Sequence, residues 1–262
     1  KATDQLEVSQ RFQFAQDMWQ GRLLDAAEIQ FKETLALAPD FAEAANNLGL
    51  VHATSGEHGK AIEAYRKALS LRANFATAHM NLGLSLQVGN KVAEARQSLQ
   101  RALELEPVLP EANDALGLLH AKMGELVVAK SYFKKETEVN PEFAEGFNHL
   151  GLIHLSLNEA KGALAPLRRS VALNPQNADA FNNLGVAYKR LDRLEEAGQA
   201  FEESVRAGPR FVPALINLGL HYLNAGKLAE AEQKLAEALA LQPNSPKIKR
   251  DLSRVRSLLG RK

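Results

Sequence analysis

The stretch NNLGL at residues 46–50 decides the fold, because closely similar letters return through the whole chain. The recurrences are NLGL at 81–84, LGL at 150–152, NNLG at 182–185 and NLGL at 217–220. A catalytic motif normally occurs once, whereas a motif that returns at regular distances is typical of a structural unit. The stretch therefore indicates a repeat architecture.

Four classes of position share one period of 34 residues. Prolines stand at Pro39, Pro107, Pro141, Pro175, Pro209 and Pro243, with Ala73 at the one missing place. Glycines that follow leucine stand at Gly49, Gly83, Gly117, Gly151, Gly185 and Gly219. Alanines stand at Ala27, Ala61, Ala95, Ala129, Ala163, Ala197 and Ala231. Large apolar residues follow four places later, at Phe31, Tyr65, Leu99, Phe133, Leu167, Phe201 and Leu235.

Each unit predicts a pair of helices. Apolar residues recur at helical spacing, Gly56 separates the two helices of its unit, and a proline ends the second helix. A glycine inside a helix costs about 1 kcal/mol relative to alanine, so its regular return calls for a close approach of helices. We expect the small alanine of the second helix to lie against that gap. Because one pair cannot bury its apolar face alone, the pairs are predicted to stack into an all-α solenoid.

The pattern resembles the tetratricopeptide repeat, in which an aromatic residue, Leu-Gly, Tyr, Ala-x3-Phe and Pro follow one another. The resemblance implies a right-handed α-solenoid of helix-turn-helix units. Departures from it are Ala15, Pro166 and the turn residues Asn158 and Asp192. The predicted units are 8–41, 42–75, 76–109, 110–143, 144–177, 178–211 and 212–245.

Residues 246–262 are predicted to form a C-terminal capping helix. An apolar stripe on this segment consists of Ile248, Leu252, Val255 and Leu259. The opposite face is basic, with Lys247, Lys249, Arg250, Arg254 and Arg256. A helix with one apolar and one charged face covers the end of a repeat stack, as terminal repeats require. The alternative is a basic patch for an anionic partner.

Asparagine is the commonest residue at position 6 of the units, counted from each first residue. The row reads Gln13, Asn47, Asn81, Ala115, His149, Asn183 and Asn217. It resembles the asparagine ladder in the groove of the repeat domain of O-linked N-acetylglucosamine transferase. An amide carries donors and an acceptor, so it can pair with the backbone of a bound peptide of any sequence. The alternative is that these asparagines join neighbouring units.

Position 9 carries an aliphatic row where many members of the family have a polar residue. The row reads Leu50, Leu84, Leu118, Leu152, Val186 and Leu220, with Gln16 in the first unit. The resemblance implies that first helices line the concave side, so the row predicts an exposed apolar surface and a binding site for an apolar or amphipathic peptide. The alternative is that neighbouring units cover the row.

Two aromatic residues of the first unit, Phe12 and Trp19, are expected on the groove side, seven residues apart. They are either a binding hot spot or a packing surface for an upstream segment. Position 5 contains no lysine, which disfavours the carboxylate clamp of some repeat domains. Acidic residues at position 2 are expected to stabilise helix N-termini rather than to form an acidic rim. They are Glu43, Glu111, Glu145 and Asp179.

Catalysis is not expected. The chain lacks a P-loop and the motifs G-x-S-x-G, H-E-x-x-H and G-x-G-x-x-G, and it contains no cysteine. His52, His120 and His154 share position 11, but stacked units place equivalent residues about 10 Å apart, too far for two histidines to share a metal ion. We interpret them as packing residues and predict no cofactor and no metal site.

The bulk composition bounds the partners. A net charge of +1 over 262 residues does not favour nucleic acid, and no apolar run predicts direct membrane insertion. The composition is that of a soluble globular protein and does not fix the compartment, so both the cytoplasm and the periplasm stay open. The chain begins at Lys1 rather than Met, so targeting information is expected to be missing.

The sequence therefore predicts a protein–protein interaction scaffold or adaptor that holds a peptide in its groove. One alternative is the substrate-recruiting region of a larger enzyme, such as a glycosyltransferase. Another is a self-assembling scaffold in which the end carrying Phe12 and Trp19 docks into the groove of a second chain.

Overall fold

A computed structural model describes residues 2–260 of the chain, with side chains described from residue 5 onward. Over this range the secondary structure consists of helices and turns without strands, so the predicted all-α repeat fold is confirmed. The described residues divide into two compact units, which meet in the sequence between Met123 and Gly124.

The first unit contains seven helices within the described residues. They are α1 (Ala2–Gln20), α2 (Leu24–Leu37), α3 (Ala42–Thr54), α4 (His58–Leu71), α5 (Ala76–Val88), α6 (Val92–Leu105) and α7 (Ala112–Lys122). The second unit contains eight over its described part. They are α8 (Leu126–Val139), α9 (Ala144–Ser156), α10 (Ala160–Leu173), α11 (Ala178–Arg190), α12 (Leu194–Ala207), α13 (Val212–Asn224), α14 (Leu228–Leu241) and α15 (Pro246–Leu258).

The turn inside each helical pair contains one residue in the left-handed backbone region. These residues keep the period of 34: Arg22, Gly56, Asn90, Gly124, Asn158, Asp192 and Gly226. Glycine adopts this conformation without strain, and Asn and Asp tolerate it better than other residues. The sequence had marked Asn158 and Asp192 as substitutes for the turn glycine, and the structure adds Arg22 and Asn90.

The glycine after leucine marks a close contact within five of the pairs, and a large residue of the second helix fills the gap. These glycines are Gly49, Gly83, Gly151, Gly185 and Gly219. A Cβ atom on Gly49 would lie 2.5 Å from Tyr65, and one on Gly151 would lie 2.4 Å from Leu167. The large residue four places after the alanine therefore packs on the glycine. The alanine also lies at this gap, as expected, since a Cβ on Gly83 would lie 3.2 Å from the backbone oxygen of Ala95 and one on Gly219 would lie 3.5 Å from that of Ala231. The alanines themselves are fully buried.

The first helices of successive pairs lie side by side within each unit. In the first unit α3 contacts α5 and α5 contacts α7, whereas no contact joins α2 to α4 or α4 to α6 among the described residues. In the second unit α9, α11, α13 and α15 follow one another in the same way. First helices thus form the inner side of each unit and second helices the outer side.

The last helix, α15, packs on α14 and α13. Its buried residues are Ile248, Leu252 and Val255. The hydroxyl oxygen of Ser245 accepts a hydrogen bond from the backbone N–H of Ile248, which satisfies one of the free N–H groups at the start of the helix. On the basic face, Arg256 bonds to Glu232 of α14 at 2.9 Å.

Among the described residues, no helix combines the length and the apolar character that crossing a bilayer requires.

Candidate functional site

The inner side of the first unit exposes aliphatic side chains at equivalent places on three adjacent helices. Leu50 on α3 is half-buried, whereas Leu84 on α5 and Leu118 on α7 are 40% and 37% exposed. Neighbouring first helices contact each other, yet they leave these two leucines open to solvent.

Val88 enlarges this surface. It follows Leu84 by four residues on α5, which places both side chains on one face of the helix, and it is 64% exposed. Position 9 alone did not reveal Val88, but the spacing of four from Leu84 is a signal that the sequence contains. We refer to Leu50, Leu84, Val88 and Leu118 as the apolar strip.

The equivalent row of the second unit is more closely packed. Leu152 is 42% exposed, but Val186 and Leu220 are half-buried. Val186 packs against the core cluster that contains Phe201, and Leu220 packs against the cluster that contains Leu252. The apolar surface open to a partner is therefore larger in the first unit.

Three of the asparagines at position 6 hydrogen-bond to the asparagine at position 5 of the preceding repeat. In the first unit, Asn81 Nδ2 donates to Asn46 Oδ1 at 3.0 Å. In the second unit, Asn183 Nδ2 donates to the oxygen of Asn148 at 3.0 Å. Asn217 repeats the arrangement with Asn182 at 2.7 Å. The structure thus uses these amides to join neighbouring repeats, as one of the two interpretations of the row expected.

The other members of the asparagine row differ in their surroundings. Asn47 is half-buried, and its Oδ1 accepts a hydrogen bond from Asn46 Nδ2 at 3.2 Å. The ring of His149 lies 5.5 Å from the ring of Phe133 in a tilted arrangement. The row therefore combines inter-repeat bonds with packing roles.

Two of the position-2 carboxylates have defined partners. The Arg72 side chain hydrogen-bonds to Glu43 and holds the pKa of that carboxyl below its usual value. Asp179 accepts hydrogen bonds from Asn148 at 2.9 Å and from Asn183 at 3.3 Å. Arg72 therefore compensates the negative charge of Glu43. Asp179 takes part in the hydrogen bonds between the asparagines of neighbouring repeats.

Replacing Asn183 by alanine is expected to lower the free energy of unfolding by about 1 kcal/mol. The change removes the donor to the buried Asn148 oxygen, and a buried acceptor without its partner costs free energy. Urea unfolding followed by circular dichroism measures the effect, and the exposed Asn224 supplies the control, because Asn224→Ala should change stability by less than about 0.5 kcal/mol. Equal effects of the two substitutions would contradict an inter-repeat role.

The predicted hot spot at the first pair is partly engaged in its own core. The ring centroid of Phe12 lies 4.7 Å from that of Phe41 and 5.8 Å from that of Phe31. Trp19 is half-buried and lines an open depression beside Thr54. The hot-spot role of both residues stays a prediction.

The sequence analysis missed a more exposed aromatic residue, Phe14. It occupies position 7, where Leu82, Leu116, Leu150, Leu184 and Leu218 are each buried. Phe14 is 50% exposed, so it presents at the first pair a surface that the later pairs bury. Comparing equivalent positions along the repeat could have found it.

Two family profiles match parts of the chain. The profile described as TPR repeat matches residues 53–87 and 151–192. The profile described as Tetratricopeptide repeat matches residues 182–246. The matches fall on both structural units. A comparison with curated protein sequences finds no relative of the chain.

Solved structures share the fold at low sequence identity. A chain of the APC/C hetero-tetramer Cut9-Hcn1 is 18% identical with a TM-score of 0.72, over 86% of this chain and 45% of that one. YrrB, described as a TPR protein with an unusual peptide-binding site, is 25% identical with a TM-score of 0.60, over 72% of this chain and 97% of that one. MamA is 26% identical with a TM-score of 0.57, over 66% and 94% respectively. This chain thus spans less than half of the chain from Cut9-Hcn1.

Proposed function

Because this chain is built from tetratricopeptide repeats, whose family implies a scaffold for protein–protein interaction, we propose that it binds an apolar or amphipathic peptide segment on the inner side of its first unit. The observation that carries the proposal is the exposure of Leu84 and Leu118 at equivalent places on neighbouring helices. Contiguous exposed apolar surface of this kind usually marks a binding site.

The chemistry of the strip determines the class of peptide. The exposed side chains of the strip are aliphatic, so they favour apolar anchor residues such as leucine in the peptide. Position 5 of the repeats contains no lysine that could bind the free carboxylate at a peptide's end. Arg72 pairs with Glu43 at the start of α3, so this carboxylate does not offer a free negative charge to a ligand. YrrB, whose structure is described as having a peptide-binding site, supports a peptide ligand for this architecture.

The asparagine row is the finer part of the proposal. An amide has two N–H groups and an acceptor oxygen, and joining repeats uses a single bond from Asn81 to Asn46 and from Asn217 to Asn182. The remaining capacity of Asn47 and Asn217, which are half-buried, would serve the backbone of a bound peptide, as in the ladder that the row resembles, whereas Asn81 and Asn183 are buried and serve the bonds between repeats.

A variant that replaces Leu84 and Leu118 by serine tests the site. Peptides are first selected on the parent chain from a random display library, and their dissociation constants are then measured by fluorescence anisotropy. We expect the double variant to bind them at least about 10-fold more weakly, because two aliphatic contacts are lost and each factor of ten corresponds to 1.4 kcal/mol.

The matched control is Ile29→Ser with Leu37→Ser on α2, an outer helix. These residues are 55% and 49% exposed, so the control removes similar apolar surface away from the strip. Circular dichroism and thermal melting verify that both variants fold. If the α2 control loses as much affinity as the strip variant, or if neither loses any, the peptide does not bind on the strip.

A further inference from the structure

A histidine and two glutamates meet between the first two helical pairs. His52 at the end of α3, Glu57 just before α4 and Glu28 on α2 each place one nitrogen or oxygen atom within 4.8 Å of the other two. His52 Nδ1 lies 3.0 Å from Glu57 Oε2. His52 is 5% exposed, so its ring is held in place by the surrounding helices.

Both carboxylates of this cluster also have a lysine partner. Lys60 Nζ donates a hydrogen bond to Glu57 Oε1 at 2.9 Å. Lys32 Nζ donates a hydrogen bond to Glu28 Oε1 at 2.6 Å. Carboxylate oxygens next to an imidazole nitrogen are a set of ligand groups suited to a cation.

The second unit contains the same arrangement with a cation built into it. His154 Nδ1 lies 2.6 Å from Glu159 Oε2, at the positions equivalent to His52 and Glu57. The place equivalent to Glu28, three periods later, is Lys130. Its ammonium nitrogen lies 2.8 and 2.9 Å from the two oxygens of Glu159. At this place the second unit has the ammonium group of Lys130, whereas the first unit has the carboxylate of Glu28, which is a third group able to bind a cation.

We propose that Glu28, His52 and Glu57 bind a divalent metal ion, with Zn²⁺ as the ion that their chemistry fits best. Zinc takes imidazole nitrogen and carboxylate oxygen at about 2.0–2.2 Å in tetrahedral sites. Tetrahedral ligands at those bond lengths lie about 3.3 Å from one another, close to the separation of His52 Nδ1 and Glu57 Oε2. Three protein ligands leave the fourth position to water.

The two lysines next to the cluster do not block a metal ion. The side chains of Lys32 and Lys60 are each 59% exposed, and they pair with Glu28 and Glu57, which lie four and three residues earlier in the chain. Exposed pairs of this kind contribute little, because water solvates the free ammonium well. Both lysines can therefore turn to solvent when a divalent ion binds the carboxylates.

A bound ion would link two successive repeats. Glu28 belongs to the outer helix of the first pair, whereas His52 and Glu57 belong to the second pair. A ligand that binds only the folded arrangement raises its stability in proportion to the logarithm of its concentration over its dissociation constant. The site would thus fasten the first repeat to the second in the presence of metal.

The test is a zinc titration of the untagged full chain, freed of metal with a chelator and followed by competition with a zinc indicator dye. We expect the parent chain to bind one zinc ion. Glu28→Lys introduces the residue that the second unit has at the equivalent place, Lys130, and should lower the affinity for zinc at least about 10-fold. Glu28→Gln, which is nearly isosteric, should lose the site as well. The reverse change, Lys130→Glu, should create a second site at His154 and Glu159.

Thermal melting provides an independent readout, since saturating Zn²⁺ should raise the midpoint of the parent chain and leave that of the Glu28 variants unchanged. Circular dichroism confirms that each variant folds. The proposal is overturned if the parent chain binds no zinc, or if both Glu28 variants bind it with the stoichiometry and affinity of the parent.

Discussion

Replacing Phe201 by alanine is expected to lower the free energy of unfolding by about 3–5 kcal/mol, because the substitution removes a fully buried ring from the core of the second unit. Phe201 lies on α12 and packs with Leu184, Ala197 and Leu218 in one cluster. The ring also fills the space above Gly185 on α11. Phe201 is fully buried, whereas Tyr188, the other large aromatic residue of this cluster, is 8% exposed, so the loss of the Phe201 ring leaves a cavity that the helices cannot close without moving.

Urea unfolding of the parent chain and the variant, followed by circular dichroism, measures this effect. Phe14→Ala is the control, because Phe14 is 50% exposed and its truncation should cost less than about 1 kcal/mol. A loss of less than 2 kcal/mol for Phe201→Ala would mean that the second unit closes over the cavity.

Replacing Gly185 by alanine is expected to destabilise the protein by about 2 kcal/mol, although alanine has a higher helix propensity than glycine. In an exposed helix interior this change stabilises by about 1 kcal/mol. Here the added Cβ would lie 2.5 Å from two carbon atoms of the Phe201 ring. The ring is enclosed on all sides, so the helices must separate, and overpacking of this kind costs about 1–3 kcal/mol.

Gly59→Ala on α4 is the matched control, because a Cβ there meets nothing within 4 Å. It should raise stability by up to about 1 kcal/mol. A double-mutant cycle with Phe201→Ala isolates the cause, since Gly185→Ala should no longer destabilise a chain that lacks the ring. If Gly185→Ala stabilises the parent chain as Gly59→Ala does, the pair does not pack as closely as the structure shows.

Much of the candidate site follows from the sequence once equivalent positions are aligned. The period predicted helical pairs, and position 9 predicted an aliphatic row, two of whose members, Leu84 and Leu118, are exposed in the first unit. Val88 and Phe14 were missed, because a single row of positions does not show which neighbours a helix leaves uncovered. The large side chain that packs on the glycine, such as Tyr65 on Gly49, was not foreseen, because side-chain reach across a pair is not a property of spacing.

The sequence by itself determined the period, the helical pairs and the places where the chain turns, because these depend on local backbone preferences and on apolar spacing that every repeat restates. Only the tertiary structure decided which atoms meet between repeats. The bond from Asn183 to Asn148 and the approach of Glu28 to His52 each join residues of neighbouring repeats. Periodicity makes such positions equivalent, but the distance and angle between stacked helices select the pairs that touch.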